Sequence, residues 1–90
     1  MLKITYLVTV YNEFKTVQKA IEDVANINYP NKEIIIIDNG STDGSQKIIK
    51  NFQNKKVNIK KILRKKNIGF GKSIREGIKK AKGDYIYIQY

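Results

Sequence analysis

The sequence contains no cysteine, no histidine and no tryptophan, and it has only one proline. Without cysteine, the chain can form neither a disulfide nor a thiolate metal site. No stretch of it approaches the roughly 18 consecutive apolar residues of a transmembrane helix. Without histidine, it lacks the commonest zinc ligand, the usual general base and the Ser-His pair of many hydrolases.

The first residues do not have the pattern of a signal peptide. The stretch "MLKITYLVTVYNE" has one lysine, a short apolar run and no small-residue cleavage site, so it predicts a first strand. A chain of 90 residues suffices for one small domain and no more. We therefore expect a single cytoplasmic domain.

Acidic residues are scarce, and the basic residues are concentrated in one part of the chain, which has a net charge of +10. Residues 1–46 contain four lysines and six acidic residues, whereas residues 47–82 contain fourteen lysines or arginines and one glutamate. Such asymmetry indicates an anionic partner: nucleic acid, an acidic membrane surface or a phosphorylated small molecule. The alternative is a lysine-rich surface that is simply solvated.

Four segments have the composition of strands. Residues 3–10 are rich in β-branched and apolar side chains, and residues 32–38 contain four consecutive isoleucines, as in a parallel sheet covered on both faces. Residues 57–63 are more polar, which is typical of an edge strand. A fourth strand begins at Asp84 or Tyr85.

Three segments between these strands have helical periodicity. Asn12 is the expected cap of the first helix and Asp43 that of the second, which covers residues 44–52. The third helix places its lysines and arginine on the outer side. The expected inner residues are Phe14, Val17, Ile21, Val24 and Ala25 in the first helix, Ile48, Ile49 and Phe52 in the second, and Phe70, Ile74, Ile78 and Ala81 in the third.

The order of the elements is β-α-β-α-β-α-β. Such alternation predicts a Rossmann-like, three-layer α/β/α domain with a parallel sheet and right-handed crossovers. We expect the first strand to lie between the second and the fourth.

The stretch "GFGKS" at residues 69–73 suggests a phosphate loop, but the pattern is incomplete. A P-loop requires a glycine five positions before Gly71, where this sequence has Lys66. The dinucleotide pattern fails as well, because no GxGxxG follows the first strand. The glycines still allow the backbone to approach a ligand near a helix N-terminus.

Three polar stretches follow the first three strands: "VTVYNE", "IIDNGSTD" and "NIGFGKSIREG". Because they lie at the carboxyl ends of parallel strands, they can converge on one crevice. Their chemistry fits a nucleoside diphosphate: Tyr11 can stack on a base, and Glu13 and Asp38 can accept hydrogen bonds. The cations available for its phosphates are Lys72, Arg75 and Arg64.

Each of these side chains also has a purely structural interpretation. Tyr11 can pack in the core, and Asp38 and Asp43 can stabilise turns. The stretch "NGST" can be a tight turn without any ligand.

Taken together, "VTVYNE", "IIIIDNGSTDGS" and "NIGFGKSIREGIKKAKGDYIYIQ" resemble the N-terminal nucleotide-binding part of family 2 glycosyltransferases, which have the GT-A fold. The resemblance spans nearly the whole chain. It implies that the nucleotide of a sugar donor is bound by Thr9, Tyr11, Glu13, Ile37 (through its backbone), Asp38, Asn67, Gly69, Gly71 and Lys72. The stretch "GKSIREG" is similar to the branch that glycosylates a polyprenyl phosphate.

The resemblance also implies a donor linked to UDP or GDP and an acceptor that is a saccharide or a lipid phosphate, as in cell wall or polysaccharide biosynthesis. In that family an Asp-x-Asp motif after "GDYIYI" holds Mg²⁺ or Mn²⁺, but this sequence has "QY" there. We therefore expect residues 1–90 to be one nucleotide-sugar-binding subdomain, truncated before that motif. It should be inactive alone, with no catalytic residue and no tight metal site, and lie in the cytoplasm or at the inner face of the membrane.

Two positions depart from the family pattern. Thr9 stands where the family usually has proline, and Asn39 stands where a second aspartate is common. We expect both changes to be mild, because Asp38 is the expected base contact.

Two other classes of protein remain as alternatives. A nucleic-acid-binding module could use residues 47–82, but only Phe52 and Phe70 supply aromatic rings there, so we do not expect a nucleic-acid partner. A receiver-like regulatory domain would need an acidic cluster after the first strand, where Glu13 stands alone.

Overall fold

The computed structural model describes residues 1–89 as one parallel sheet with helices on both faces. The strand order is β3-β2-β1-β4, so the first strand lies between the second and the fourth, as predicted. The strands are β1 (Ile4–Val10), β2 (Lys32–Asp38), β3 (Asn58–Leu63) and β4 (Tyr85–Gln89), and the helices are α1 (Val17–Ala25), α2 (Ser45–Asn51) and α3 (Phe70–Lys80). The three-layer α/β/α prediction is confirmed.

Strand β2 is the centre of the domain, since every one of its residues is buried. It pairs with β1 on one side and with β3 on the other. Its side chains alternate between two cores: Ile34 and Ile36 pack with α1 and α2, whereas Ile35 and Ile37 pack on the α3 side. The four consecutive isoleucines, residues 34–37, are typical of a strand that is covered on both faces. Within residues 1–89, no helix is long and apolar enough to cross a bilayer.

Helix α3 lies so close to the sheet that its inner face carries small residues. A Cβ atom at Gly77 would lie 2.6 Å from Cδ1 of Leu7, so no larger residue fits there without a shift. Ser73 and Gly77 are the buried residues of α3, whereas Phe70 and Ile78 are exposed. The predicted inner face was therefore wrong at Phe70 and Ile78, because close approach turns the small side chains toward the sheet.

The predicted N-terminal caps were also wrong. Helix α1 begins at Val17 after Thr16, and Asn12 instead accepts the N–H of Thr42 through its Oδ1 at 2.8 Å. Phe14 is exposed and precedes the helix. Gly44 occupies the cap position of α2.

A buried glutamate joins the sheet to the segment before β4. The Glu33 carboxylate accepts hydrogen bonds from the Thr5 hydroxyl at 2.7 Å and from the N–H of Lys82 at 2.6 Å. The Lys60 ammonium lies 3.2 Å from its other oxygen. Burial pushes the pKa of Glu33 upward, but these hydrogen bonds and the Lys60 charge together hold it below its usual value.

We expect Glu33→Gln to lower the free energy of unfolding near neutral pH by about 1–3 kcal/mol, because it removes the charge from bonded partners. Because the pKa of Glu33 is lower in the folded protein than in the unfolded one, ionised Glu33 stabilises the fold at pH values above its unfolded pKa. This stability is lost as the pH falls through the pKa of the folded protein. The difference in the free energy of unfolding between variant and wild type should therefore disappear below about pH 4. Urea melts across this pH range measure it, with the exposed Glu22→Gln as the control. A difference of equal size at all pH values would contradict this account of Glu33.

Candidate functional site

A cavity of about 320 Å³ lies at the carboxyl end of β1, beside the beginning of α3. Its volume is at the lower end of the range of about 300–1,000 Å³ that is typical of small-molecule sites. It is lined by Thr9, Val10, Tyr11, Glu13, Asn39, Asn67, Phe70 and Ser73. These residues come from all three of the polar stretches in which the sequence predicted a common crevice.

The loop after β1 is fixed by the loop after β2. Three consecutive main-chain N–H groups of the first loop donate to side-chain oxygens of the second. A fourth hydrogen bond runs the other way, from the N–H of Thr42 to the Asn12 side chain. The three bonds join Asn12 to the Ser41 hydroxyl at 2.8 Å, Glu13 to the Ser45 hydroxyl at 3.1 Å and Phe14 to the Asp43 carboxylate at 3.0 Å. We call these four bonds the loop clamp.

Asp43 is the charged member of the loop clamp. The Ser45 hydroxyl donates to its carboxylate at 2.6 Å, and the main-chain N–H groups of Ser45 and Phe14 donate to it at 3.0 Å. These bonds, chiefly that from the Ser45 hydroxyl, hold the pKa of Asp43 below its usual value. Asp43 therefore stays ionised, and its hydrogen bonds join the loop after β1 to the beginning of α2.

Asp38, the last residue of β2, is fully buried. One carboxylate oxygen accepts the Ser41 hydroxyl at 2.5 Å. The other accepts the Ser41 N–H at 2.8 Å and the Gln46 amide at 2.7 Å. The strand alternation of β2 turns Asp38 to the side of α1 and α2, so it does not line the cavity.

Asn39, one residue later, lies on the other side of the sheet from Asp38. It lines the cavity, and its Nδ2 donates to Oδ1 of Asn67 at 2.8 Å. Its own Oδ1 accepts the N–H of Ile68 at 3.1 Å, and Oδ1 of Asn67 also accepts the N–H of Gly69 at 2.7 Å. An aspartate at this position could not donate to Asn67, so the amide fits the loop before α3.

The loops after β2 and β3 also meet through their backbones. Gly40 has a φ of 85°, and a Cβ atom there would lie 2.5 Å from the carbonyl carbon of Lys66. Only glycine fits at such a contact without a shift of the chain. This contact and the Asn39–Asn67 bond together hold α3 beside the end of β2.

The structure brings together four of the nine residues that the resemblance assigned to nucleotide binding: Thr9, Tyr11, Glu13 and Asn67 line the cavity. Ile37 is fully buried within the sheet, and Gly69 precedes the first residue of α3. Lys72 lies with Arg75, Glu76 and Lys79 in a separate groove.

Arg64, a third expected phosphate contact, pairs with Glu76 instead of facing the cavity. The nucleotide contacts of all these residues remain predictions.

Sequence reasoning missed three polar or aromatic residues of the cavity: Asn39, Phe70 and Ser73. Asn39 was noted only as a departure from the family, although the alternation of β2 places it opposite Asp38. Phe70 was assigned to the core because its spacing fits the apolar face of α3. Ser73 belongs to the stretch "NIGFGKSIREG", which was expected to reach the crevice, but nothing in the sequence distinguished it from its neighbours.

Acidic side chains do not cluster within residues 1–89. This part of the chain contains no group of three or more Asp, Glu, His or Cys residues that could hold a metal ion. The carboxylates of Asp38 and Asp43, at the carboxyl end of β2, are already occupied by hydroxyl, amide and main-chain donors.

The comparison with protein families decides the class of the chain. The model of Glycosyl transferase family 2 matches residues 5–89. The chain belongs to glycosyltransferase family 2. The resemblance that carried the sequence analysis is therefore confirmed.

Two curated relatives illustrate the range of this family. A poly-beta-1,6-N-acetyl-D-glucosamine synthase of Staphylococcus epidermidis is 40% identical over 83 residues, which cover 92% of this chain and 20% of the relative. A cholesterol galactosyltransferase of Borreliella burgdorferi is 37% identical over 84 residues, which cover 93% of this chain and 23% of the relative. The chain spans about a fifth of the length of these glycosyltransferases.

Solved structures confirm the fold. The mannosyltransferase of Pyrobaculum calidifontis in complex with GDP-Man and Mn²⁺ has a TM-score of 0.85 at 18% identity, covering 92% of this chain and 25% of that one. Residues 1–349 of TarS from S. aureus, in complex with UDP, have a TM-score of 0.84 at 25% identity, covering 98% and 27%. The family 2 chain therefore has the GT-A fold predicted for it.

The burial of Asp38 and its bonds to Ser41 and Gln46 predict the outcome of Asp38→Asn. Asparagine offers one acceptor oxygen where the aspartate has two, so the Ser41 or Gln46 donors lose a partner. We expect the free energy of unfolding to fall by about 1–3 kcal/mol. The same substitution at Asp23, an exposed residue of α1, should change it by less than about 0.5 kcal/mol. Equal stabilities of the two variants in urea melts would contradict the structural role of Asp38.

Proposed function

We propose that this domain binds the nucleoside diphosphate of a sugar donor and forms the nucleotide-recognition part of a glycosyltransferase. The observation that carries the proposal is the cavity at the end of β1, which combines aromatic rings with amides and hydroxyls. Tyr11 and Phe70 lie on its lining and are about half exposed. Flat rings at the rim of a cavity suit a planar base, which can stack on them.

The polar groups of the cavity fit the edge of a base. Thr9 contributes a hydroxyl, and Asn67 contributes a side-chain amide held by the loop before α3. Glu13 supplies a carboxylate that can accept from a base or from a ribose hydroxyl. Lys72 and Arg75 lie outside the cavity, so we propose that the phosphates remain at its mouth on the side of α3.

The relatives support a nucleotide-linked donor. One structural neighbour contains GDP-Man and Mn²⁺, and another contains UDP. We therefore propose a UDP- or GDP-linked sugar for this protein. The names of the curated relatives include a polysaccharide synthase and a cholesterol galactosyltransferase, so we propose a saccharide or a lipid acceptor, including a lipid phosphate.

In the reaction we propose, a hydroxyl or phosphate of the acceptor attacks the anomeric carbon of the sugar. The bond from that carbon to the diphosphate breaks, and the nucleoside diphosphate leaves. Mg²⁺ or Mn²⁺ would offset charge on the leaving diphosphate, held by residues other than the described ones. Residues 1–89 contribute the recognition and orientation of the nucleotide, so we expect no sugar transfer by these residues alone.

The basic outer side of α3 supports a location at the inner face of a membrane. Lys72, Arg75, Lys79 and Lys80 are exposed on this helix. Lysines near an anionic bilayer are each worth about 1 kcal/mol of attraction. We propose that the protein is cytoplasmic and that this side of α3 faces acidic lipid or a lipid-phosphate acceptor.

An NMR titration with UDP and with GDP tests the proposed function. One of the two nucleotides should shift the amide signals of Thr9, Tyr11, Asn39 and Asn67 more than those of Lys79 and Lys80. Binding should be weak because the described residues hold no metal site. Inorganic diphosphate is the control for simple charge attraction, since it has no base. Shifts confined to the lysines of α3, equal for diphosphate and nucleotide, would refute the specific site.

A further inference from the structure

The hydroxyl of Ser73 is a buried polar group that lacks a hydrogen-bond partner. Ser73 is 1% exposed, and within residues 1–89 its Oγ makes no hydrogen bond. It nevertheless lines the cavity at the end of β1. Buried polar atoms are nearly always bonded, so an exception of this kind points to a partner that comes from outside the chain.

Ser73 differs from the other buried polar side chains. Among the described residues, two further buried atoms lack a hydrogen bond, Oε1 of Glu33 and Nε of Arg64. Both belong to ion pairs, because Glu33 faces the Lys60 ammonium at 3.2 Å and Arg64 pairs with Glu76. The other fully buried serine, Ser45, both donates and accepts. Ser73 has no such compensation within the described chain.

Small size alone could explain a serine at this position. Ser73 is one helical turn before Gly77, where a Cβ atom would lie 2.6 Å from Cδ1 of Leu7. Alanine would meet that steric requirement with better helix propensity and without burying a hydroxyl. Steric fit therefore does not explain the hydroxyl, which destabilises the free protein because it is buried without a partner.

We propose that the Ser73 hydroxyl is a specificity-determining contact to the base of the bound nucleotide, at the floor of the cavity. This inference rests on the proposed function. Ser73 is buried whereas Tyr11 and Phe70 are half exposed, so a base that stacks on these rings would direct its edge toward Ser73. A hydroxyl can donate to a carbonyl or accept from a ring N–H, and both groups occur on uracil and guanine.

The base is a better candidate for this contact than the phosphates. Ser73 is neutral and fully enclosed, and Val10 and Phe70 contribute apolar surface to the same cavity. The cations of α3, Lys72 and Arg75, are exposed and lie in another groove. A diphosphate buried at Ser73 would lose hydration without an adjacent cation.

The test is Ser73→Ala in the 90-residue chain, with affinity and thermal stability measured side by side. The dissociation constant of the UDP or GDP that the wild type binds should rise about fivefold to tenfold, as for the loss of one hydrogen bond. The melting temperature should stay equal or increase, because the variant no longer buries an unpaired hydroxyl. The control is Ser45→Ala, which should melt lower because it deletes a hydroxyl with two partners.

Uridine or guanosine, which have no phosphate, should show the same loss of affinity on Ser73→Ala. A loss seen with the diphosphate alone would place the hydroxyl at a phosphate and overturn the inference. Unchanged affinity would also overturn it, as would a lower melting temperature of Ser73→Ala. In these cases wild-type binding would leave the proposed function standing. If the wild type bound neither nucleotide, the proposed function itself would fail.

Discussion

Main-chain N–H groups at the carboxyl ends of the strands need partners, and the loop clamp supplies them for the loop after β1. Asn12, Glu13 and Phe14 each donate to an oxygen of Ser41, Ser45 or Asp43. Their side chains are exposed, so the bonds, and not burial, fix the path of this loop. The loop clamp thereby positions Tyr11 and Glu13 on the lining of the cavity. The polar stretch after β2 has the structural role of supplying the oxygens of the loop clamp.

The two faces of β2 lead to different surroundings at its carboxyl end. Asp38 faces α1 and α2 and holds the turn at Ser41, whereas Asn39 lines the cavity and bonds to Asn67. Helix α3 completes the cavity because Gly77 allows it to lie against the sheet, which brings Ser73 and Phe70 to the ends of the strands. The same close approach leaves the cations of α3 outside, where phosphate or lipid can reach them.

The sequence predicts the sheet well and the site only in part. The run of isoleucines places β2, and the alternation of strands and helices predicts the parallel sheet. Asp38 has two interpretations with the same local sequence, turn residue and ligand contact; its bonds to Ser41 support the first, and the second stays a prediction. Which face of β2 meets the cavity depends on where α3 lies, and that depends on the steric fit of Gly77 against Leu7. The apolar periodicity of α3 indicated Phe70 and Ile78 as its core residues. The packing of Gly77 against Leu7 could therefore not be deduced from that periodicity.

Amide hydrogen exchange at Asn12, Glu13 and Phe14 tests the loop clamp most directly. The side chains of these residues are exposed, so an unclamped loop would exchange at the rate of an unstructured peptide. The loop clamp predicts that all three amides exchange substantially more slowly than that rate. Exchange at the unstructured rate, with the amides of β2 still protected, would show that the loops are not joined in solution and would contradict the account.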